Sequence, residues 1–379
     1  TPFVEPARDH DRMAQLDALA RGPLPCILAI GHALGGGVDR HIHDLAHTLE
    51  ARAVLLHLQP AADRSGAVRL AALGPARRTL APLLIDVADG PETLLQITAR
   101  LQPARLHVHH TMGTEAWLQP LLDALGAPID VTVHDYGLFH PTPHLLGPDQ
   151  RYARDPGEEP TVVGVNDPGG APPPRHTAWR GESAWLCAAA ERIIVPSVDV
   201  RRRIAPFVDT SRCVVATHPE PPHLAAFAPA ASAPWPDLPA ADEPLHVAAI
   251  GVLAAHKGAE VLQACETVAR HGNLPLRFTA VGGTTPHTRL TPYSTLPITG
   301  RYAEADLAAT LTRLRPHLVW FTAQWPETFS YTLSAALKLA YPVAVPDIGA
   351  FPERVAGRPW SWVVPWDQSP EAACAALMR

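Results

Sequence analysis

The sequence predicts an α/β protein built as two doubly wound domains. Short apolar runs alternate with amphipathic stretches along most of its 379 residues. That alternation points to parallel sheets covered by helices on both faces. It stops over a Pro- and Ala-rich segment and then starts again. A chain of this length also exceeds one ordinary domain and suits two.

In the first half, strands are expected at 26–30, 53–58, 105–109, 129–133, 193–196 and 214–217, where apolar runs are short. Helices are expected between them at 38–49, 92–101, 116–125, 177–190 and 200–207, where apolar residues recur at helical spacing. The Pro-rich insert 138–174 reads as a long surface loop, and a loop of that length is often functional. Segment 219–244 holds few core candidates and reads as the linker between domains. Beyond it, strands are expected at 246–250, 277–281, 297–299, 318–322 and 343–345, with helices at 259–270, 304–313 and 329–340. The expected layout is a first domain at 1–220, a linker at 221–244 and a second domain at 245–379. A return of the last residues to the first domain is left open.

Composition narrows the function. A formal charge of −6 gives no nucleic-acid footprint. The run Arg201-Arg202-Arg203 reads as a solvated helix face, or as a contact for anionic lipid head groups. Five widely spaced cysteines without a C-x-x-C pair argue against a disulfide framework or a zinc site and for a reducing compartment. No apolar run is long enough to span a membrane, and no signal peptide is visible. Because the chain begins at Thr1 and stops in a helix-like stretch, an excised piece or a part of a longer polypeptide is expected.

Four segments could carry chemistry. Gly35-Gly36-Gly37 follows the first strand and opens a helix, so the backbone can approach a ligand closely. The run lacks the third glycine of a dinucleotide fingerprint, whose position holds Arg40. His134 lies at the carboxyl end of an expected strand in Thr132-Val133-His134-Asp135-Tyr136. Lys257, in His256-Lys257-Gly258, lies between a strand and a helix, without the Gly-Lys-Ser/Thr of a P-loop. Glu327, in Trp325-Pro326-Glu327-Thr328-Phe329-Ser330, stands at a strand-to-helix turn, where free N–H groups attract phosphate. His107, His109 and His110 alternate as metal ligands can, but no nearby carboxylate or cysteine completes a set, so no metal is expected.

Together these segments resemble retaining glycosyltransferases of family 4, in the branch of bacterial surface and O-antigen polysaccharide assembly. The resemblance also rests on Pro196-Ser197, His218-Pro219-Glu220, Gly300-Arg301-Tyr302 and Asp347-Ile348-Gly349-Ala350, and it spans residues 27 to 366. It implies a GT-B fold, two Rossmann-like domains facing a central cleft. Residues Gly35, Gly36 and Gly37 would meet donor phosphates, and Lys257 the diphosphate of the leaving group. His134 and Glu327 would be catalytic, placed at the donor sugar. Thr328, Phe329 and Ser330 would line the donor site. The family's second glutamate, eight residues after the first, would bind ribose, and here that position holds Ala335. Eight helical steps advance about 12 Å, roughly the reach from sugar to ribose. Restoring a glutamate at 335 is therefore expected to tighten the donor about 10-fold. Val252 and Ala340 also depart from the pattern, at an arginine and a glycine position.

The implied activity moves a sugar from a nucleotide-diphosphate sugar to a glycan or lipid-linked acceptor with retention. No cofactor and no metal is expected, because no D-x-D motif occupies a suitable loop and Asp9-His10-Asp11 precedes the first strand. A cytoplasmic place with peripheral contact to the inner membrane follows from the same resemblance. Two alternatives remain at this stage: a nucleotide-sugar epimerase, and a weakened or inactive module that binds sugar or nucleotide, which Ala335 favours.

Overall fold

A computed structural model describes residues 6–78, 80–153, 155, 176–219, 239, 240, 243–285, 288, 290 and 294–379. Most of the expected linker, 220–238 with 241 and 242, lies outside the described residues, as do 154 and 156–175 of the Pro-rich insert. The chain divides into two compact units. The first comprises Thr1–His134, Gly181–Pro196 and Phe207–Pro219; the second comprises Asp135–Arg180, Ser197–Pro206 and Glu220–Arg379.

The first unit is built on a sheet of eight described strands. They are β1 (Cys26–Ile30), β2 (Val54–Pro60), β3 (Ala67–Ala72), β4 (Leu83–Asp86), β5 (Arg105–Val108), β6 (Ile129–Thr132), β7 (Arg192–Val195) and β8 (Cys213–Val215). Their order is β4-β3-β2-β1-β5-β6-β7-β8. From β2 to β8 across β1 the pairing is parallel, with Cys26 opposite Val54 and Ile27 opposite Arg105. The β2-β3-β4 edge is antiparallel, and its β3 and β4 were not among the expected strands. Helices α1 (Pro6–Ala20), α2 (Gly36–Thr48), α3 (Glu92–Arg100), α4 (Leu118–Leu125) and α5 (His176–Ala189) accompany the strands. Val38, Ile42 and Ala46 of α2 bury one face against Ala29 and Leu55 of the sheet. Asp130 of β6 is 2% exposed yet fully paired: Arg105 donates to it at 2.9 Å and Arg192 at 2.6 and 2.8 Å.

The second unit carries an all-parallel sheet of five described strands, in the order β10-β9-β11-β12-β13. These are β9 (Leu245–Ile250), β10 (Leu276–Val281), β11 (Leu318–Trp320), β12 (Val343–Pro346) and β13 (Ser361–Val364). Segment 297–299 forms one isolated bridge, between Ile298 and Ala280, rather than a strand. Pro297 has no N–H to extend the ladder. Helices α6 (Val198–Ile204), α7 (Ala259–His271), α8 (Leu307–Leu314), α9 (Tyr331–Lys338), α10 (Phe351–Val355) and α11 (Pro370–Leu377) complete the unit. Its core joins Leu262 and Cys265 of α7 to Phe278, Trp320 and Cys374. The last helix, α11, packs on α7 within the second unit.

The described part of the insert is not a surface loop. Phe139 and Leu145 are 2% and 1% exposed, and Leu146 bridges Tyr152. Tyr152 N–H donates to the Gln324 carbonyl at 2.7 Å, which ties the insert to the loop after β11. All five cysteines are free. No helix among the described residues is long and apolar enough to cross a membrane.

Candidate active site

In each unit the sheet order reverses direction beside its first strand. The chain runs from β1 to β2 on one side and later to β5 on the other; likewise from β9 to β10 and then to β11. Open α/β sheets bind ligands outside the carboxyl ends of the strands at such a switch point. The sequence-predicted residues fall at these two places.

In the second unit, Lys257 follows β9 in a 3-10 turn (Ala255–Lys257), and Glu327 follows β11. Lys257 Nζ donates to Glu327 Oε1 at 2.7 Å. Glu327 is 3% exposed, and its second oxygen, Oε2, is buried without a hydrogen-bond partner among the described residues. Two glycines set this geometry. Gly258, at φ +80, lies so close to the Thr322 carbonyl that no Cβ fits. Gly349, at φ +69, approaches the Glu327 backbone: a Cβ there would meet its N at 2.6 Å and its O at 2.7 Å. The Glu327 carbonyl in turn accepts from Ala350 N–H at 2.8 Å. Lys257 also lies over the Trp325 ring, 5.7 Å from its centroid.

The loop between Glu327 and α9 differs from expectation. The helix starts at Tyr331, not Phe329, because Ser330 caps it: its Oγ accepts from Leu333 N–H at 3.4 Å. Glu327 therefore stands before the helix, and the eight-step helical rise from Glu327 to Ala335 does not apply. Arg354 of α10 holds this loop, donating to the Ser330 carbonyl at 2.6 Å and stacking 4.1 Å from the Phe329 ring. Thr328 is 3% exposed. Ala335 is 2% exposed, flanked by the buried Ser334 and Ala336. A glutamate at 335 would enter a buried position.

Of the residues that support this loop, His144 left no mark in the sequence, and Tyr136 and His256 stood in the motifs without a role of their own. His144 stacks on His256 at 4.5 Å and meets the Trp325 edge at 4.5 Å. Tyr136 Oη donates to the Pro326 carbonyl at 3.1 Å. Burial pushes His256 down to about 2 and also lowers His144, so both rings are neutral at ordinary pH.

In the first unit, Gly35 and Gly36 have φ of +70 and +74, and a Cβ at either would meet nothing within 4 Å. The conformation requires glycine, and the space beside it is open. Gly37 lies in the first turn of α2. His134 follows β6 and is half-buried. It stands in a group of rings rather than alone. His134 Nε2 lies 3.1 Å from His109 Nδ1, and its ring is 5.0 Å from those of His41 and His218. His107 shares a face with His109, rings 4.0 Å apart, and bonds Thr132 Oγ1 at 2.7 Å. His110 turns instead toward His32, 4.7 Å away. Burial is the main cause that lowers these imidazoles, His41 to about 3, His107 to about 4, and His109 and His134 well below the ordinary value.

No protein-family model matches the chain, and no curated protein matches it. Solved structures match it over nearly its whole length. HepE of Anabaena, in complex with UDP, has a TM-score of 0.57 at 13% identity, covering 94% of this chain and 89% of that one. Sucrose-phosphate synthase of Thermosynechococcus elongatus has 0.57 at 17%, covering 94% and 89%. The fold is GT-B. A glycosyltransferase of Rickettsia africae shares this GT-B fold with a TM-score of 0.58 at 13% identity, covering 94% of this chain and 88% of its own. Identities this low establish the fold alone.

Proposed function

We propose that the chain is a retaining glycosyltransferase that moves a sugar from a nucleotide-diphosphate sugar to a glycan or lipid-linked acceptor. The observation that carries the reading is the Lys257–Glu327 pair. A cation and a buried carboxylate with an unmet oxygen stand together at the carboxyl ends of β9 and β11. An unmet buried oxygen is costly, and a sugar hydroxyl is a donor of the right kind to meet it. Lys257 would neutralise the diphosphate as the sugar–oxygen bond breaks and negative charge develops on the leaving group. On this reading Thr328, Phe329 and Ser330 line the donor site beside it. On the first unit the reading gives Gly35, Gly36 and Gly37 a phosphate-facing role and His134 a sugar-facing one. The departing phosphate oxygen would accept the acceptor's proton on the face it leaves, which gives retention. No metal is then needed on the diphosphate. HepE binds UDP and, in a second complex, UDP-glucose, and this accords with the donor class proposed here.

A second reading, a module that binds donor without transfer, draws on Ala335, which offers no acceptor for ribose hydroxyls. The deciding experiment incubates the chain with a panel of nucleotide-diphosphate sugars and glycan or lipid-linked acceptors, and assigns the anomeric configuration of any product by NMR. A product with retained configuration supports transfer; inversion refutes the retaining mechanism. Donor turnover without acceptor identifies an epimerase or hydrolase instead.

A further inference from the structure

The histidine group of the first unit has a geometry that the proposed transfer does not use. His41 lies in α2, which follows β1; His109 follows β5; His134 follows β6. Since β1, β5 and β6 are consecutive in the sheet, three neighbouring carboxyl ends deliver three imidazoles to one place. One ring nitrogen from each of the three lies within 4.8 Å of the others. We propose that His41, His109 and His134 bind one zinc-class divalent ion in the first unit.

The donor set chooses the class of metal. Three imidazole nitrogens without a carboxylate suit zinc and its late transition-metal neighbours and do not suit magnesium, calcium or manganese. Three protein ligands leave a fourth tetrahedral position for water or another oxygen ligand. The spacing is close to what zinc requires. Two nitrogens sharing a tetrahedral zinc, each about 2.0–2.1 Å from it, lie about 3.3 Å apart. His109 Nδ1 and His134 Nε2 already lie 3.1 Å apart. The His41 nitrogen, within 4.8 Å of both, must close by the remainder when the ion binds.

A second, independent observation points the same way. His41 and His109 are 4% and 3% exposed, and His41 Nδ1 has no hydrogen-bond partner among the described residues. A buried imidazole nitrogen left unmet is costly, and a cation accepting the lone pair of His41 meets it. The site goes beyond the transferase reading and shares only His134 with it. A metal on His134 Nε2 would place the ring proton on Nδ1, since ligation of one nitrogen fixes the tautomer at the other.

The test is metal content and coordination, which do not depend on transfer. The untagged chain is stripped with chelator, loaded with Zn2+ or Co2+, and passed over a desalting column. One retained ion per chain, visible Co2+ absorption of a tetrahedral site, and zinc X-ray absorption showing imidazole nitrogens at about 2.0 Å are expected. His41→Ala and His109→Ala should each weaken Zn2+ by at least about 100-fold, whereas His271→Ala on the exposed end of α7 should not. Failure of the wild-type chain to retain a stoichiometric ion overturns the proposal. So does an oxygen-dominated zinc shell in the wild-type chain, a reading that stands even where a variant fails to fold. Absence of transfer by the zinc-loaded wild-type chain counts against the transferase reading alone.

Discussion

Lys257 Nζ and Glu327 Oε1 lie 2.7 Å apart, the carboxylate buried and the ammonium side chain 39% exposed. The asymmetry predicts unequal mutants. Lys257→Ala leaves a buried charge without its cation and should cost about 1–3 kcal/mol, below the range for a fully buried pair because the lysine is partly solvated. Glu327→Gln removes the charge itself and should cost less. Urea unfolding of both variants checks the order; equal or reversed losses would show that the pair is not a stabilising contact.

Gly349→Ala should be among the most damaging single-methyl changes in the second unit. The backbone sits at φ +69, and the new Cβ would press on the Glu327 N and O. Strain and displacement together should cost about 2 kcal/mol or more. Gly36→Ala meets open space and should cost only the conformational share, about 1 kcal/mol. Thermal melts of the two variants make the comparison; equal effects would remove the close approach from the argument.

The end of α9 predicts a stabilising change. Ala340 has φ +59, and its N–H and that of Tyr341 donate to the Leu337 and Ala336 carbonyls at 3.0 Å. This is the reversed double bond that ends a helix on a left-handed residue, a place that favours glycine. Ala340→Gly should raise stability by about 1 kcal/mol. On the same helix Ala335→Glu should lower it by several kcal/mol, about the cost of an unpaired buried charge. Chemical denaturation reads both, and a stable Ala335→Glu chain with a tighter donor would restore the ribose-binding role of that position.

Much of this was legible in the sequence, and the gaps have physical reasons. Strand β1 lies where its apolar run does, and α3 and α7 differ from expectation by one residue at one end. The β3–β4 hairpin went unread because Ala67–Ala72 is short, rich in alanine and interrupted by Arg69. Strand β13 was hidden by the prolines and tryptophans around it. Lys257 and Glu327 were legible individually, but their contact joins residues 70 positions apart. The histidine group shows the same limit more sharply. His107, His109 and His110 looked like one set, yet the sheet order pairs His109 with His41 and His134 and turns His110 away.

Acid should destabilise the second unit before ordinary carboxylates protonate. His246 is held at about 4 and His256 at about 2, both chiefly by burial, against an ordinary 6.5. Arg277 and His317 press His246 further down, and His144 and Lys257 do so for His256. Their folded pKa values lie below the unfolded one. Their contribution is therefore complete above pH 6.5 and lost as the pH falls toward 4, because the unfolded chain takes up the protons first. Each group accounts for up to about 1.4 kcal/mol per pH unit in that window. His246→Gln, which keeps a polar group for Thr279 Oγ1, should flatten the profile between pH 6.5 and 5. An unchanged slope would remove His246 as its source.

If Lys257 beside Glu327 holds the diphosphate of a nucleotide sugar, calorimetric titration should register it. UDP and GDP, with their parent nucleosides as controls, are titrated into the wild-type chain and into Lys257→Ala. One diphosphate should bind the wild-type chain and weaken at least about 10-fold in the variant, the scale of a lost charged hydrogen bond, while nucleoside affinity hardly changes. No diphosphate binding up to millimolar concentration, or equal binding to both proteins, would contradict it.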